Sequence, residues 1–438
     1  VNFCQITGSK NIGGKITCSG SKNFSTKAII ASMLSDQTSF FENVPEIGDI
    51  DSLKTLIEDC GGSLIIKNNK AEVIPGKSKS IIKARDNVMY GRLSILFLAV
   101  LIHKFDYVEV PNQDGCDFSG RPLNFHEKIS EKFGFKLGSK DCSFFAEKSK
   151  KLEGQDIKLD FPSVGATEFA IFLAVMAKGF STIENIAIEP EIKSLITMLQ
   201  NMGAKIHYLK TRKLFVEGVE ELCGIKTEMI GDRVEASSWA VLAACTDSVI
   251  EVENINPEHM SGFLGIFRRM GGGFELEKNS IKFFKKEKLH NILVQTDTYP
   301  GFSTDYQAML SVMMTQSEGM GIIHETLFKY RLHHLETLKL FGANTYSSVH
   351  CVGDVCRFKD QNYLHSGFIV GPTKLTAPKK TVFAENLRSG MAYVLAACIS
   401  EGTTSIGNMD FVYRGYSDLY NKLKSVNVNV KLIDNEVI

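Results

Sequence analysis

A cysteine placed five residues before an arginine, inside a loop of small and polar residues, is where this 438-residue chain first offers chemistry. Pro111 to Pro122 reads PNQDGCDFSGRP, a composition expected of an exposed loop. A nearby cation favours the thiolate of Cys116, which fits a reactive thiol as well as an incidental loop cysteine. Asp305, in the run Phe302-Ser303-Thr304-Asp305, fits either a helix N-cap or a general base. Around these two stand Lys22, Asn23, Arg92, Asp232 and Arg388, each just before a helix-length apolar run. A lysine or arginine at the mouth of a buried helix is costly unless an anion meets it there, and helix N-termini themselves favour anions. A second register, at the start of more amphipathic segments, carries Asp49, Arg121, Glu189, Glu258, Arg331 and Arg414. Caps and surface ion pairs fit Asp49 and Glu258. The arginines oppose the helix dipole, so with Lys22, Arg92 and Arg388 they look like a clamp for phosphate and carboxylate.

The elements that must position these residues follow one pattern, clearest between Ser163 and Ile206. Ser163 to Thr167 leads into an apolar segment, Ala166 to Ala177, which reads as a buried helix stopped at Gly179. Thr182 to Ile186 alternates as a strand does, and Ile192, Leu195, Ile196, Leu199 and Met202 form one stripe of a second helix closed by Gly203. The buried helix recurs at Lys27 to Leu34, Leu93 to Ile102, Trp239 to Cys245, Ala308 to Met314 and Met391 to Cys398. The second helix ends in turn at Gly61, Gly134, Gly203, Gly271 and Gly342, and at Asn427 in the last copy. Six copies at a period of about 70 residues fill the chain, each a strand-helix-strand-helix subdomain.

Six such units most economically make two domains of three. The expected division is 21–230 for the first domain, which carries the Cys116 loop, with 1–20 and 231–438 forming the second. Val1 to Thr17 is strand-like and free to pair with the second half, so the chain crosses twice, near Gly20 and Gly231. A cleft between domains is then the default ligand site. Lys plus Arg and Asp plus Glu both number 50, a formal net charge of zero that argues against nucleic acid or a membrane surface as partner. Leu93 to Ile102, the most apolar stretch, is about half the length needed to span a bilayer, and Val1 to Lys22 lacks the pattern of a secretory signal. A cytosolic protein is expected. None of the ten cysteines falls in paired Cys-x-x-Cys motifs, and Cys351 and Cys356 have no histidine pair at zinc spacing nearby, so no metal is expected.

Together the repeat, Ser19-Gly20-Ser21-Lys22-Asn23, the Gly115-Cys116 loop ending in Arg121-Pro122, Ser163 to Thr167, Glu189-Pro190-Glu191, Thr304-Asp305, Arg331 and Arg414-Gly415-Tyr416 resemble the enolpyruvyl transferases. The resemblance covers essentially the whole chain. It implies an α/β fold in which two inside-out α/β barrels are built from six repeated subdomains, three per domain. It implies phosphoenolpyruvate and UDP-N-acetylglucosamine as substrates, with transfer to the sugar 3-hydroxyl as the first committed step of peptidoglycan synthesis. No cofactor, metal or obligate protein partner is implied. Lys22, Asn23, Arg121, Arg331, Arg388 and Arg414 would surround phosphoenolpyruvate. Cys116 would be the acid toward the methylene carbon and the residue alkylated by fosfomycin, Asp305 would take the hydroxyl proton, and Lys22 would complete the catalytic set. The nucleotide sugar would lie along Arg92, Arg121, Pro122, Leu123, Asn124, Phe125, Phe161, Pro162, Ser163, Val164, Asp305 and Leu327.

The departures from the family pattern concentrate where the acceptor is read: Asp114 and Ser119 for glycines in the loop, Asn124 and Asn386 for aspartates, and Phe161 for lysine. Two other readings follow. One is a paralogue serving another hydroxyl, such as a nucleotide ribose; the other is a ligand-binding relative without catalysis, against which the presence of both Cys116 and Asp305 argues. Shikimate 3-phosphate fits less well, because the shikimate enzymes of this fold lack the Gly115-Cys116 loop. The stretch from Cys351 to Lys380 reads as one long surface connection.

Overall fold

The computed structural model describes residues 3–85, 88, 90–112, 123–140, 142–353, 356–359 and 361–433. Cys116, Arg121 and Pro122, together with Asp114 and Ser119, lie outside the described residues. The chain separates into two compact units, Gly20–Ile230 and the pair Val1–Ser19 with Gly231–Ile438. No helix among the described residues is long and apolar enough to cross a membrane.

In each unit the described strands form three small sheets around long buried helices. The helices are buried because they are apolar on every side: Leu93–Leu101, expected at 93–102, has no exposed residue. In the unit Gly20–Ile230 this helix packs against Lys22–Ser32 and Val164–Ala174. In the other unit Arg233–Thr246, Gln307–Thr315 and Leu387–Ile399 pack against one another. The amphipathic helices end where left-handed residues were expected. Gly61, Gly134, Gly203, Gly271 and Gly342 have φ between 81° and 104°, and Asn427 has φ 64°.

One sheet shows how the helices are mounted. Leu293–Gln295 pairs in parallel with Gly319–His324, and the helix Gln307–Thr315 makes the crossover that a parallel pair needs. The third and fourth strands, Asn344–Ser348 and Ser366–Gly371, form an antiparallel hairpin, with Ser366–Gly371 lying between its partner and Gly319–His324. The stretch from Cys351 to Lys380 is therefore not one surface connection. It contains an interior strand whose run, Ser-Gly-Phe-Ile-Val-Gly, is short and lacks the alternation that marks a half-buried strand.

The two chain crossings exchange strands. Gly14–Thr17 pairs in parallel with Ile250–Glu253, whereas Lys226–Glu228 pairs with Ser39–Glu42. Phe3–Thr7 lies between Thr403–Gly407 and Asn429–Ile433, antiparallel to both. Glycine is required on each side of the exchange: a Cβ on Gly20 would stand 1.9 Å from the Asn43 carbonyl oxygen, and one on Gly231 1.7 Å from that of Asn254. Asn43 and Asn254 themselves adopt positive φ, and their amides donate to the carbonyls of Met229 and Cys18, both at 2.8 Å.

Candidate active site

In the unit Gly20–Ile230 the expected residues cluster at helix starts. Ser21 caps the helix Lys22–Ser32 by accepting from the Phe24 N–H, so Lys22 is the first helical residue. It forms an ion pair with Asp49, which sits in the first turn of Gly48–Cys60 where an acid suits the dipole. Asn23 follows on the same turn and is half-buried. Arg92 precedes the helix Leu93–Leu101, and Leu123 precedes Asn124–Phe133. Asn124 is exposed, Phe125 half-buried. Ser163 caps Val164–Ala174, and Phe161, Pro162 and Val164 beside it are half-buried.

The side chain that links these helix starts is His126, which was not singled out in the sequence. Its ring lies edge-on to Phe169 at 5.0 Å, and a Cβ on Gly165 would stand 3.8 Å from its Nε2. Burial, helped by the Arg92 cation, pushes its pKa down to about 3. Arg92, the start of Asn124–Phe133 and the Ser163 turn thus meet around one neutral imidazole. Its alternation with charged neighbours hides it in the sequence. Nearby in the chain, Glu168 is buried, and burial raises its pKa to about 7; the Lys27 cation opposes this, while Glu189 and Glu191 add to it.

The second unit holds Asp305. The sequence left open whether this residue caps a helix; the cap is Ser303, whose hydroxyl accepts from the Asp305 N–H at 3.3 Å. The Asp305 carboxylate instead spans two guanidiniums, with Oδ1 3.3 Å from Arg331 and Oδ2 3.1 Å from Arg388. Burial is the largest single influence on Arg388 and works against its charge, but Asp305, Tyr416 and Asp232 together outweigh it, so its pKa is raised. Asn386 caps the helix Leu387–Ile399 through bonds from the N–H groups of Arg388 and Ser389, the same work an aspartate would do there. His334 fixes Arg331 from behind. Its Nδ1 donates to the Arg331 carbonyl at 3.1 Å, Nε2 meets the Ser311 hydroxyl at 2.8 Å, and burial lowers its pKa to about 4. A small pocket at this place is lined by Thr304, Tyr330, Arg331, His334, Asn386 and Arg388, among others.

Beneath Asp305 lies Glu325, fully buried and also missed in the sequence. One of its oxygens accepts from Thr296 (3.1 Å) and from the N–H groups of Leu327 (2.7 Å) and Phe328 (3.0 Å). The other accepts from Thr304 (2.5 Å) and Gln307 (2.8 Å). Five donors compensate the buried carboxylate and lock the residue before Asp305 to the turn carrying Leu327. Arg414, expected at the start of an amphipathic helix, instead ends the short helix Asp410–Tyr413. Arg331 likewise precedes its helix, His334–Leu340, rather than opening it.

The fold is that of the enolpyruvyl transferases: the structure of NikO from Streptomyces tendae superimposes with a TM-score of 0.84 over 98% of each chain, at 18% identity. The EPSP synthase (3-phosphoshikimate 1-carboxyvinyltransferase) family model matches residues 6–423, and the chain belongs to that family. The UDP-N-acetylglucosamine 1-carboxyvinyltransferase of Protochlamydia amoebophila is 35% identical, covering 100% of this chain and 95% of its own length. The protein of the same name from Chlamydia trachomatis is also 35% identical, covering 97% of each.

Proposed function

We propose that this chain transfers the enolpyruvyl group of phosphoenolpyruvate to the 3-hydroxyl of UDP-N-acetylglucosamine, releasing phosphate. The observation that carries the reading is the Asp305 carboxylate held between Arg331 and Arg388. Two guanidiniums that converge on one displaceable carboxylate suit an anionic donor. The names of the full-length relatives support the acceptor.

In this reading the phosphate and carboxylate of phosphoenolpyruvate engage Lys22, Asn23, Arg121, Arg331, Arg388 and Arg414. The incoming anion competes with Asp305 for the guanidiniums and so releases the base. Cys116 donates a proton to the methylene carbon, and C2 becomes electrophilic. The sugar 3-oxygen bonds to C2 as Asp305 takes its proton, giving a tetrahedral ketal. Loss of a proton from the new methyl group and departure of phosphate restore the double bond. Acid–base help of this kind contributes about 10²–10⁴-fold, and the cations supply position and electrostatic stabilisation. Arg92, Arg121, Pro122, Leu123 to Phe125, Phe161 to Val164 and Leu327 hold the nucleotide sugar, with Glu325 fixing the Leu327 turn. We assign the activity to the cytosol, with no cofactor and no obligate protein partner.

We also propose that the six sheets are copies of one subdomain, three to each unit in an inside-out α/β barrel. Five of them share a parallel pair extended by antiparallel strands, and the three-stranded sheet has the isolated bridge Ile81–Glu109 in the place of its parallel strand.

The test is phosphate release from phosphoenolpyruvate by the purified chain, with UDP-N-acetylglucosamine, UMP and shikimate 3-phosphate offered separately. Release with the first alone is expected. Release only with another acceptor, or none with any, overturns the assignment.

A further inference from the structure

The hairpin between Asn344–Ser348 and Ser366–Gly371 carries a second cluster of reactive side chains, which the transfer chemistry does not use. His324, Cys351, Cys356 and His365 bring one ligand atom each to within 4.8 Å of one another. The sequence reading set Cys351 and Cys356 aside because no histidine pair follows at the usual spacing. The histidines come instead from two paired strands. His324 ends Gly319–His324 opposite Ser366, and His365 immediately precedes Ser366.

We propose that these four residues form a closed, structural zinc site. Two thiolates and two imidazoles are a donor set that zinc binds tetrahedrally, and two half-buried thiolates neutralise the ion beside two buried imidazoles. Bonds of about 2.0–2.3 Å imply ligand-to-ligand edges of about 3.3–3.8 Å. The Cys351 Sγ to His365 Nε2 distance is already 3.3 Å, so the cluster needs only a small contraction around an ion.

The hydrogen bonds around the cluster orient each donor inward. His365 Nδ1 lies 2.6 Å from the Tyr363 carbonyl, which only accepts, so Nδ1 carries the proton and Nε2 presents its lone pair to the cluster. His324 Nδ1 lies 3.1 Å from Gln295 Oε1, with the same consequence. His324 is fully buried, and its Nε2 has no hydrogen-bond partner. A buried imidazole nitrogen left in that state is costly unless something binds it. A Cys351–Cys356 disulfide would leave it unpartnered; a zinc ion supplies the bond. The Phe358 N–H donates to Cys356 Sγ at 3.3 Å, which stabilises a thiolate in the manner of an outer-shell donor. Phe358 is 5% exposed and packs its ring 5.8 Å from that of His365, covering that imidazole.

The loop is shaped to the cluster as well. A Cβ on Gly353 would stand 2.8 Å from Gln295 Oε1 and 3.1 Å from His324 Nδ1, so the backbone at Gly353 lies directly against the ligand ring and its support. Binding releases one proton from each thiol and ties the long hairpin to the end of Gly319–His324. Glu325 is the next residue, and its N–H donates to the His365 carbonyl at 2.8 Å. The ion therefore fixes the strand end that positions Glu325 and, through Thr304, the turn of Asp305.

The full chain, purified without a histidine tag from zinc-supplemented cells, is assayed for bound metal and for free thiols in the native state. About one zinc per chain is expected, with cobalt(II) replacing it to give the visible absorption of a tetrahedral thiolate site. Cys356→Ser and His365→Gln should each lose most of the zinc, while Cys223→Ser, at an exposed cysteine outside the cluster, keeps it. Zinc removal by a chelator should expose two further thiols to a thiol reagent and lower the melting temperature, with zinc alone restoring both. A folded wild-type chain that holds no zinc and takes up no cobalt overturns the proposal. So does a native Cys351–Cys356 disulfide, and so does a cluster variant that retains full metal content. The wild-type measurements decide the matter even if a variant fails to fold.

Discussion

Asp49 and Asp305 are both carboxylates near helix starts facing cations, yet they are balanced differently. Asp49 meets Lys22 in a pair in which both side chains are largely buried, 9% and 18% exposed. Asp305 is shared by Arg331 and Arg388, one oxygen to each. The first arrangement cancels its charge and serves to hold Lys22 in place. The second brings two guanidiniums to one carboxylate, which on the proposed mechanism is the base they release, so the same residue type would be a support in one unit and a reactant in the other.

The comparison breaks most visibly at Asp305. Asp305→Asn should keep the geometry and lower kcat by about 10²–10⁴-fold, with the KM for phosphoenolpyruvate not raised. Turnover within tenfold of the wild type would remove Asp305 from the role of base. Arg388→Lys keeps the charge but loses the fork that reaches the carboxylate. Its kcat/KM for phosphoenolpyruvate should fall about 10–100-fold, the scale of one charge-assisted bond. An unchanged value would mean that the buried guanidinium serves only the fold.

A pH titration separates the buried acid from the buried imidazoles. Glu168, with its pKa raised to about 7, contributes stability that is complete below the ordinary carboxyl value near 4.5 and lost as pH rises toward 7. Glu168→Gln should remove that loss, raising stability at pH 8 by roughly 2–3 kcal/mol relative to wild type, read from urea midpoints. The histidines run the other way. His126 and His334, lowered to about 3 and about 4, stabilise fully above the ordinary value near 6.5, and that stability fades as pH falls. The smallest effect on turnover belongs to the balanced pair. Asp49→Asn removes one charge of a largely buried pair and should cost about 3 kcal/mol in stability while leaving kcat within a few-fold, checked by melting and by the phosphate assay. A loss as large as that of Asp305→Asn would erase the distinction.

What was legible in the sequence divides along the same line. Helices apolar on every side, and amphipathic helices closed by a left-handed residue, announce themselves locally, which is why Leu93–Leu101 and the ends at Gly61, Gly134, Gly203, Gly271, Gly342 and Asn427 could be read residue by residue. Lys22, Asp305, Arg331 and Arg388 stood out because charge beside an apolar run needs a reason. Their partnerships did not, since Asp305 and Arg388 are 83 residues apart. Glu325 and His126 look like ordinary surface residues until their burial is seen. The four-residue Cys/His cluster escaped because its ligands lie on paired strands and a hairpin, so the spacing that marks a zinc finger is absent. The strand Ser366–Gly371 escaped because a short run flanked by glycines carries too little pattern.

The strand exchange at Gly20 and Gly231 also sets a timetable. Gly20–Ile230 can close its own sheets while the ribosome is still working, because all of its strands lie within that span. Phe3–Thr7 cannot, because its two neighbours are Thr403–Gly407 and Asn429–Ile433. At about 5–20 residues per second that strand waits roughly 20–80 s with both edges unpaired. The earliest-made strand of the second unit is thus the last to find its place, and it is the segment a chaperone would have most reason to hold.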